Sequence, residues 1–372
     1  MTSSCCPPTH MEDSTFNISP LLSGTANATP EIPGTTPSAP PVGGLIGPEA
    51  MEVFRLVNFV SLYGLVSFFG TVTNVINIAV LVKLGFKDTV NLGLFGLALS
   101  DLGCLLTLFW MAICFNPAFA FSPAVPFAPY EVQYLTGGWP HVCFVRTSSW
   151  ITAFVTFERC LCVTLPFKVK SLVTPKRVVI VLSTIFFLTV ASVTPVYYTS
   201  RMRWLFYPAY NRTLIGLTFT DNREEVEAVT LILNNFVSPI TSFVLVSICT
   251  LILVLQLKRK TEWRSKSVAA SAKSNDVTSA RDKKVVRMVV TMSTVFIITF
   301  APGTLTFLCM ALIPEYSIVG RYSNLFNVSF SFVFILESIN SSVNLFVFYK
   351  MSSRYREVFN AMFLKKSQPK NK

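Results

Sequence analysis

Residues 177–199, RVVIVLSTIFFLTVASVTPVYYT, form an apolar run that carries a charge only at its first position. About 20 apolar residues in a helix are enough to cross the hydrocarbon core of a bilayer. Other segments are of similar length and character, so we predict seven transmembrane helices, near residues 56–83, 91–115, 139–164, 177–199, 227–257, 285–313 and 324–350. The third is the most polar, because it contains His141, Arg146, Glu158 and Arg159. We count it because with six spans the basic loops would no longer lie on one side of the membrane.

The composition supports this prediction. Of the 372 residues, 52% are hydrophobic and 13% are charged, whereas about a quarter of the residues in a soluble domain are charged. Too few charges remain to cover so apolar a core in water. The predicted fold is therefore an all-α membrane protein, a seven-transmembrane-helix bundle whose surface faces lipid. The two halves show no internal repeat, which weakens a transporter.

A short amphipathic helix is predicted after the seventh span. Its apolar residues recur at helical spacing and basic residues flank them: Tyr355, Val358, Phe359, Met362 and Phe363. Such a helix lies on the inner leaflet, where anionic membrane lipid attracts its charges. The predicted organisation is a disordered extracellular tail (1–54), the transmembrane domain (55–350), and the amphipathic helix with a cytoplasmic tail (351–372).

The distribution of basic residues predicts the orientation. With the N-terminus outside, 23 of the 31 Lys and Arg residues lie on the inner side and six on the outer side. Short loops rich in Lys and Arg stay cytoplasmic. We therefore predict a multi-pass plasma-membrane protein with an extracellular N-terminus and a cytoplasmic C-terminus. The net charge of +12 then reflects orientation, and no nucleic-acid partner is expected.

Three glycosylation sequons begin at Asn17, Asn27 and Asn211, and all fall outside in this orientation. Only Cys5 and Cys6 among the nine cysteines lie clearly outside, so a disulfide framework is not implied.

Ionisable groups inside a membrane are costly and usually mark function. Asp101 lies at the centre of span two, Arg146 well inside span three and Glu337 inside span seven. Each charge needs a partner or water, so we expect all three side chains to face the interior of the bundle.

Several motifs occur in order along residues 55–364: Gly70-Thr-Val-Thr-Asn74, Leu97-Ala-Leu-Ser-Asp101, Glu158-Arg159-Cys160 followed by Pro166-Phe167, Pro239, Phe296 with Phe300-Ala-Pro302, and Asn340-Ser-Ser-Val-Asn344 with Phe348. Together they resemble the rhodopsin-like (class A) G protein-coupled receptors. The stretches GWPHVCF and SSWITAFVTFERCLCVTLPFKVK look closer still to the expanded chemosensory receptors of molluscs, near the peptide-receptor branch.

The resemblance implies a switch at the inner end of helix three. Arg159 would be held by Glu158 and by Asp282, and breaking that contact would open a cleft for a heterotrimeric G protein. The alternative is that Arg159 only reaches the lipid headgroups. The full set implied for switching and coupling is Glu158, Arg159, Asp282, Phe296, Phe300, Pro302, Asn344 and Phe348.

The resemblance also implies an internal sodium site at Asp101, Ser148, Asn340 and Asn344. A carboxylate with neutral oxygens suits a hard cation. The alternative is a hydrogen-bonded packing cluster with a protonated Asp101. No other cofactor is expected.

A ligand site is implied by His141, which lies eighteen residues before Arg159 on the same helix face. Arg146, Glu337, Asn234 and Asn235 would complete a polar pocket suited to an amino acid, a peptide terminus or another zwitterion. Alternatively, Arg146 and Glu337 only pair to hold helices three and seven together; both readings can be true.

The chain departs from the resembled pattern at several positions. Tyr134 occupies the usual place of a disulfide cysteine in helix three, and residues 200–226 offer no partner cysteine. Ser247 and Phe348 replace two tyrosines whose hydroxyls usually hold the active state, so the switch must rely more on packing.

The expected function is that of a receptor for an extracellular small-molecule or peptide ligand, acting through a G protein and most consistent with a chemosensory role. The alternatives are a neuropeptide receptor of the same fold and, less favoured, a ligand-gated channel, since insect-type odorant channels place the N-terminus inside. An enzyme is not expected: the sequence has no HExxH motif or phosphate-binding loop, and its only histidines are His10 and His141.

Overall fold

The computed structural model describes residues 46–165, 169, 171–208, 211–266, 276–317 and 320–364, without the side chains of residues 48, 260–266 and 276–283. Seven long helices in these residues form a bundle, followed by a shorter eighth: α1 (Tyr63–Leu84), α2 (Thr89–Phe115), α3 (Trp139–Thr164), α4 (Pro175–Thr199), α5 (Ser238–Lys266), α6 (Asp276–Leu312), α7 (Ser323–Met351) and α8 (Ser353–Phe363). The predicted helical membrane bundle is confirmed.

Three of the long helices continue from a π-helical turn that follows a shorter α-helix. The turn Arg55–Leu62 leads into α1, Tyr134–Gly138 into α3 and Leu233–Val237 into α5. A π-helical turn shifts the backbone hydrogen bonds by one residue, and such turns occur often at functional sites. The turn before α5 supplies part of the candidate site.

Local sequence determines where several helices begin and end. Asp88 accepts a hydrogen bond from the backbone N–H of Val90 at the start of α2, and Thr174 accepts one from Arg177 at the start of α4. The hydroxyl of Ser352 does the same for Tyr355 in α8. Side-chain acceptors at these positions satisfy N–H groups that lack a partner in the first helical turn. α1 ends at Gly85, whose φ of 80° favours glycine.

α3 is the most interior helix of the bundle. Six helices of the described chain are long and apolar enough to cross a membrane, and α3 is not one of them. It packs against α2, α4, α5 and α6, and its buried residues include polar ones such as Thr147, Ser148 and Ser149. Because α3 is surrounded by protein, its polar side chains do not have to face lipid.

Asn74 joins α1 to α7. Its amide donates to the backbone carbonyl of Ser341 at 2.8 Å and to that of Gly70 in its own helix at 2.9 Å. A side chain at Gly70 would collide with Ser342 and Leu105, so glycine permits the close approach of α1, α2 and α7. The predicted first-helix motif therefore has a structural role.

α8 is joined to the bundle through Tyr355. The Tyr355 side chain is buried, its hydroxyl donates to the Asn77 side chain at 2.5 Å, and its ring meets Phe348 edge-on at 5.7 Å. Burial raises the pKa of Tyr355. Met362 and Phe363 at the far end of the apolar stripe are exposed, which leaves an apolar surface for lipid.

A β-hairpin that was not predicted joins α4 to the short helix Arg223–Ile232, which leads into the π-helical turn before α5. β1 (Ser200–Tyr207) pairs antiparallel with β2 (Arg212–Phe219) in a continuous register. The aromatic residues of β1 and the β-branched residues of β2 favour strands. We call this end of the bundle the hairpin end and the opposite end, where α7 meets α8, the α8 end.

The predicted tail 1–54 and segment 351–372 lie largely or partly outside the described residues, so these domain boundaries stay predictions. Asn17 and Asn27 also lie outside them. Asn211 is exposed in the hairpin turn, with a φ of 47°.

Shortening a core leucine of α5 should destabilise the bundle. Leu253 is fully buried, and Leu253→Ala should cost about 2–5 kcal/mol because it leaves a cavity. Leu251, two residues earlier and 60% exposed, provides the matched control Leu251→Ala. Thermal unfolding of purified protein in detergent would compare the two variants. Equal midpoints would contradict this packing of α5.

Candidate functional site

Two opposite charges meet in the interior of the bundle. Arg146 on α3 and Glu337 on α7 are each 4% exposed, and their closest charged atoms lie 3.8 Å apart. The Arg146 Nε donates to the backbone carbonyl of Asn234 at 2.8 Å. The ring of Phe307 lies 5.5 Å from the guanidinium carbon. Arg146 therefore joins α3 to α7, to the start of α5 and to α6.

The local sequence explains why the Asn234 carbonyl can accept from Arg146. In an α-helix the N–H of residue 238 would bond to this carbonyl, but Ser238 bonds instead to Leu233 in the π-helical turn. In the π pattern the next donor to Asn234 would be residue 239, which is proline and has no N–H. The carbonyl is therefore left without a backbone donor, and Arg146 supplies one.

His141 is fully buried one and a half turns before Arg146. Its Nδ1 lies 3.1 Å from the backbone oxygen of Cys104, and its ring centre lies 4.9 Å from that of Phe334. Its Nε2 has no hydrogen-bond partner among the described residues. The geometry favours the tautomer protonated at Nδ1, which leaves Nε2 as an acceptor for a ligand or water.

Tyr63 on α1 completes this region and was not predicted. It is fully buried, and its hydroxyl has no partner among the described residues. Like His141, it contacts Phe334. Asn235 is half-buried beside Asn234. We call His141, Arg146, Asn234, Glu337 and Tyr63 the central polar cluster.

Asp101 on α2 is fully buried and receives three hydrogen bonds. Ser148 of α3 donates at 2.7 Å, and Ser341 and Asn344 of α7 donate at 3.0 and 2.7 Å. Ser341 was not predicted. Asn340 is buried but is not among these donors, so its place in a cation site stays a prediction. The arrangement ties α2, α3 and α7 together.

The predicted switch aromatics of α6 are stacked. The rings of Phe296 and Phe300 lie 4.1 Å apart at 20°, and both are buried. They pack with Cys104, Val145 and Val246. Pro302 lies one half-turn further along α6 and is exposed, so it affects the helix backbone and not this core.

Arg159 lies near the α8 end and contacts its neighbour Glu158. Its guanidinium lies 2.5 Å from the Glu158 carboxylate, which also accepts from Thr89 of α2 at 2.6 Å. Glu158 is 1% exposed. The predicted Glu158 contact is therefore present, with Thr89 as an added partner, while the side chain of Asp282 lies outside the described residues.

A cavity of about 910 Å³ opens at the α8 end between α1, α2, α6, α7 and α8. Apolar and charged residues both line it, among them Leu81, Asn91, Lys284, Met288, Phe348 and Tyr355. Phe348 was predicted as a switch residue and forms part of this wall.

The structure thus brings most of the predicted residues into three groups along one bundle. The central polar cluster is nearest the hairpin end, the Asp101 group follows, and Glu158 with Arg159 lies nearest the α8 end. Ser341 and Thr89 escaped prediction because a lone hydroxyl in an apolar helix carries little signal. Pro239, which lacks the N–H that would bond to the Asn234 carbonyl in a π-helical turn, was a usable signal for a free carbonyl there.

A family model described as serpentine type 7TM GPCR chemoreceptor Srw matches residues 57–366. No curated protein matches the chain.

The contact between Arg146 and Glu337 should appear as an energetic coupling. Arg146→Met alone leaves a buried carboxylate without its cation, and loss of one partner of a buried pair costs about 3–5 kcal/mol. Arg146→Met with Glu337→Gln should cost less than the two single changes together, by about 1–3 kcal/mol. Thermal unfolding of the four proteins measures this difference.

The matched control combines Arg146→Met with Glu224→Gln, because Glu224 is exposed at the hairpin end. That combination should be additive. Additivity in the Arg146 and Glu337 pair as well would show that the two charges do not interact.

Proposed function

Because the chain belongs to the serpentine type 7TM GPCR chemoreceptor family Srw, we propose that it is a chemosensory receptor that binds an external ligand and activates a heterotrimeric G protein. This family is one of membrane receptors and not of enzymes. The observation that carries the proposal is the central polar cluster, a buried group of opposite charges and unsatisfied polar atoms above a switch arginine.

The proposed orientation places the hairpin end outside the cell. The exposed sequon at Asn211 lies at that end, and the described lysines Lys83, Lys284 and Lys350 lie at the other. Positive charge favours the cytoplasmic side, so α8 would lie along the inner leaflet of the plasma membrane.

The central polar cluster supports a ligand with a charged or zwitterionic group. One Arg146 nitrogen, the Tyr63 hydroxyl and His141 Nε2 lack hydrogen-bond partners among the described residues. Buried polar atoms without partners are costly, so a ligand that satisfies them gains affinity and specificity. A carboxylate would meet Arg146, an ammonium group would meet Glu337, and Asn235 is placed to extend the site.

The α8 end supports coupling. Arg159 is held by Glu158, and the nearby cavity is bordered by α6 and lined by Phe348. An agonist acts by population shift: it must bind the state with the wider cytoplasmic cleft more tightly than the other state. The stacked Phe296 and Phe300 lie between the two regions and would change packing in this step.

We further propose that the receptor is rhodopsin-like and similar to the mollusc chemosensory receptors, on the motifs that span residues 55–364. A neuropeptide receptor of the same fold is the second candidate, favoured by the same charged cluster because a peptide terminus is also charged. A ligand-gated channel is less favoured, since Arg159 and its neighbours match a coupling motif.

The first test of coupling replaces the switch arginine. Wild type and Arg159→Ala would be expressed at matched surface levels with a panel of G proteins, and amino acids and peptides applied. We expect a ligand response in wild type and its loss in Arg159→Ala, because the exchange-competent state needs this side chain. The control Lys83→Ala removes an exposed cation at the same end of the bundle and should respond like wild type.

A ligand-evoked current that persists without G proteins would contradict the proposal and support the channel. A full G protein response in Arg159→Ala would contradict the assigned switch while leaving the receptor function intact.

We also propose a sodium ion beside Asp101, held by its carboxylate with oxygens of Ser148, Ser341 and Asn344, and with Asn340 nearby. These groups fit a hard cation, because a carboxylate, hydroxyls and amide oxygens are its preferred ligands. Such an ion would stabilise the packing of α2 against α3 and α7.

Sodium should therefore raise the melting temperature of wild type above that in choline chloride at equal ionic strength, because a ligand that binds only the folded state stabilises it. Asp101→Asn should lose this difference. Ser338→Ala, which alters a buried hydroxyl of α7 outside the group, should keep it. Equal melting temperatures of wild type in both salts would instead support a packing cluster without an ion.

A further inference from the structure

The hairpin is fixed on the bundle by hydrogen bonds on its inner edge. β2 pairs with β1 on one side, and on the other Ala128 donates to the Ile215 carbonyl at 2.8 Å while Ile215 donates to Pro126 at 3.0 Å. The Leu217 N–H donates to the carboxylate of Glu131 at 2.7 Å. Glu131 is 9% exposed, so a buried carboxylate secures the strand.

A second group of contacts lies where β2 ends and the helices before α5 begin. Arg223 donates to the Tyr134 hydroxyl at 2.9 Å, pairs with Glu227 at 3.2 Å, and lies over the Phe219 ring at 3.6 Å. Glu227 also accepts a hydrogen bond from Thr199 at the end of α4. One arginine therefore contacts the turn before α3, the strand β2 and, through Glu227, α4.

The chemistry of these contacts suits a stable attachment that needs no covalent bond. Burial raises the pKa of Tyr134, so its phenol stays neutral and accepts from Arg223. The guanidinium is planar and always charged, so it can stack on an aromatic ring and donate in its own plane at the same time. Glu227 is buried and would be left without its cation if Arg223 were removed.

We propose that Glu131, Tyr134, Phe219, Arg223 and Glu227 form a non-covalent clamp that fixes the hairpin to the turn before α3, to α4 and to the short helix before α5, at the position where the resembled receptors use a disulfide. Tyr134 occupies the place of one cysteine of that disulfide, and the hairpin segment offers no cysteine for the other. The clamp does not depend on the proposed ligand or on G protein coupling.

A clamp of this kind has two measurable properties. It is insensitive to thiol reductants, because no S–S bond is involved. Its opening is a local equilibrium that depends on Arg223, and amide hydrogen exchange reports such local opening directly. Exchange of the hairpin amides therefore distinguishes the clamp from a covalent attachment.

The test is hydrogen exchange with mass spectrometry on the full chain in lipid nanodiscs, followed in peptides from residues 200–219. Arg223→Gln should accelerate exchange of β2 amides at least tenfold, about 1.4 kcal/mol by conversion of that ratio. Glu131→Ala should accelerate exchange around Leu217. The matched control Glu225→Gln changes an exposed carboxylate on the same helix and should exchange like wild type, with or without dithiothreitol.

Exchange within twofold of wild type in both Arg223→Gln and Glu131→Ala would overturn the clamp. Accelerated exchange in wild type on adding dithiothreitol would also overturn it, because a disulfide would then hold the hairpin. Peptides from residues 285–312 report whether a variant has unfolded as a whole. If Arg223→Gln has unfolded as a whole, the test uses Arg223→Lys, which keeps the charge but not the planar donor group. Exchange of the β2 amides in Arg223→Lys at the wild-type rate would then overturn the proposal.

Discussion

A buried charge in a membrane bundle needs hydrogen-bond acceptors there, and for Arg146 one is a backbone carbonyl left free by the π-helical turn before α5. The π-helical turn at Leu233–Val237 moves the Ser238 N–H away from the Asn234 carbonyl, and Pro239 has no N–H to replace it. Two features that weaken a helix therefore create the acceptor that a buried guanidinium needs. Arg146 thereby joins α3 to α7 and to the turn before α5.

The same requirement explains the place of α3. Polar groups are costly against lipid but acceptable where other protein groups bind them. α3 carries His141, Arg146, Ser148, Glu158 and Arg159, and their contacts lie on α2, α5 and α7. The helices around α3 expose large apolar side chains instead, among them Phe187 on α4 and Ile298 on α6. A polar centre surrounded by apolar helices is thus the organising arrangement of the bundle.

The sequence predicted the helices well because a span needs a long apolar run, and even polar α3 was recovered from the order of basic loops. It located Asp101 and Arg146 because a single charge stands out in such a run. It could not choose between Asn340 and Ser341 as a donor to Asp101, because neighbouring helical residues point about 100° apart and helix rotation is set by packing. The hairpin was missed since the contacts that hold it come from residues 126–131, distant in sequence. Tyr63 was missed because its neutral side chain does not stand out in an apolar run as a charged one does.

The low apolarity of α3 has a consequence for biosynthesis. A nascent helix enters the bilayer from the translocon according to its own hydropathy, and an arginine at the centre of a helix opposes entry by about 2.5–3.5 kcal/mol. In α3 this unfavourable charge is that of Arg146. The backbone carbonyl that accepts from its Nε belongs to Asn234, which is synthesised some ninety residues later. Between the synthesis of α3 and that of α5, the ribosome therefore exposes a helix whose charge is not yet satisfied. Assembly of the bundle therefore includes a stage at which Arg146 lacks the acceptor that it has in the finished structure.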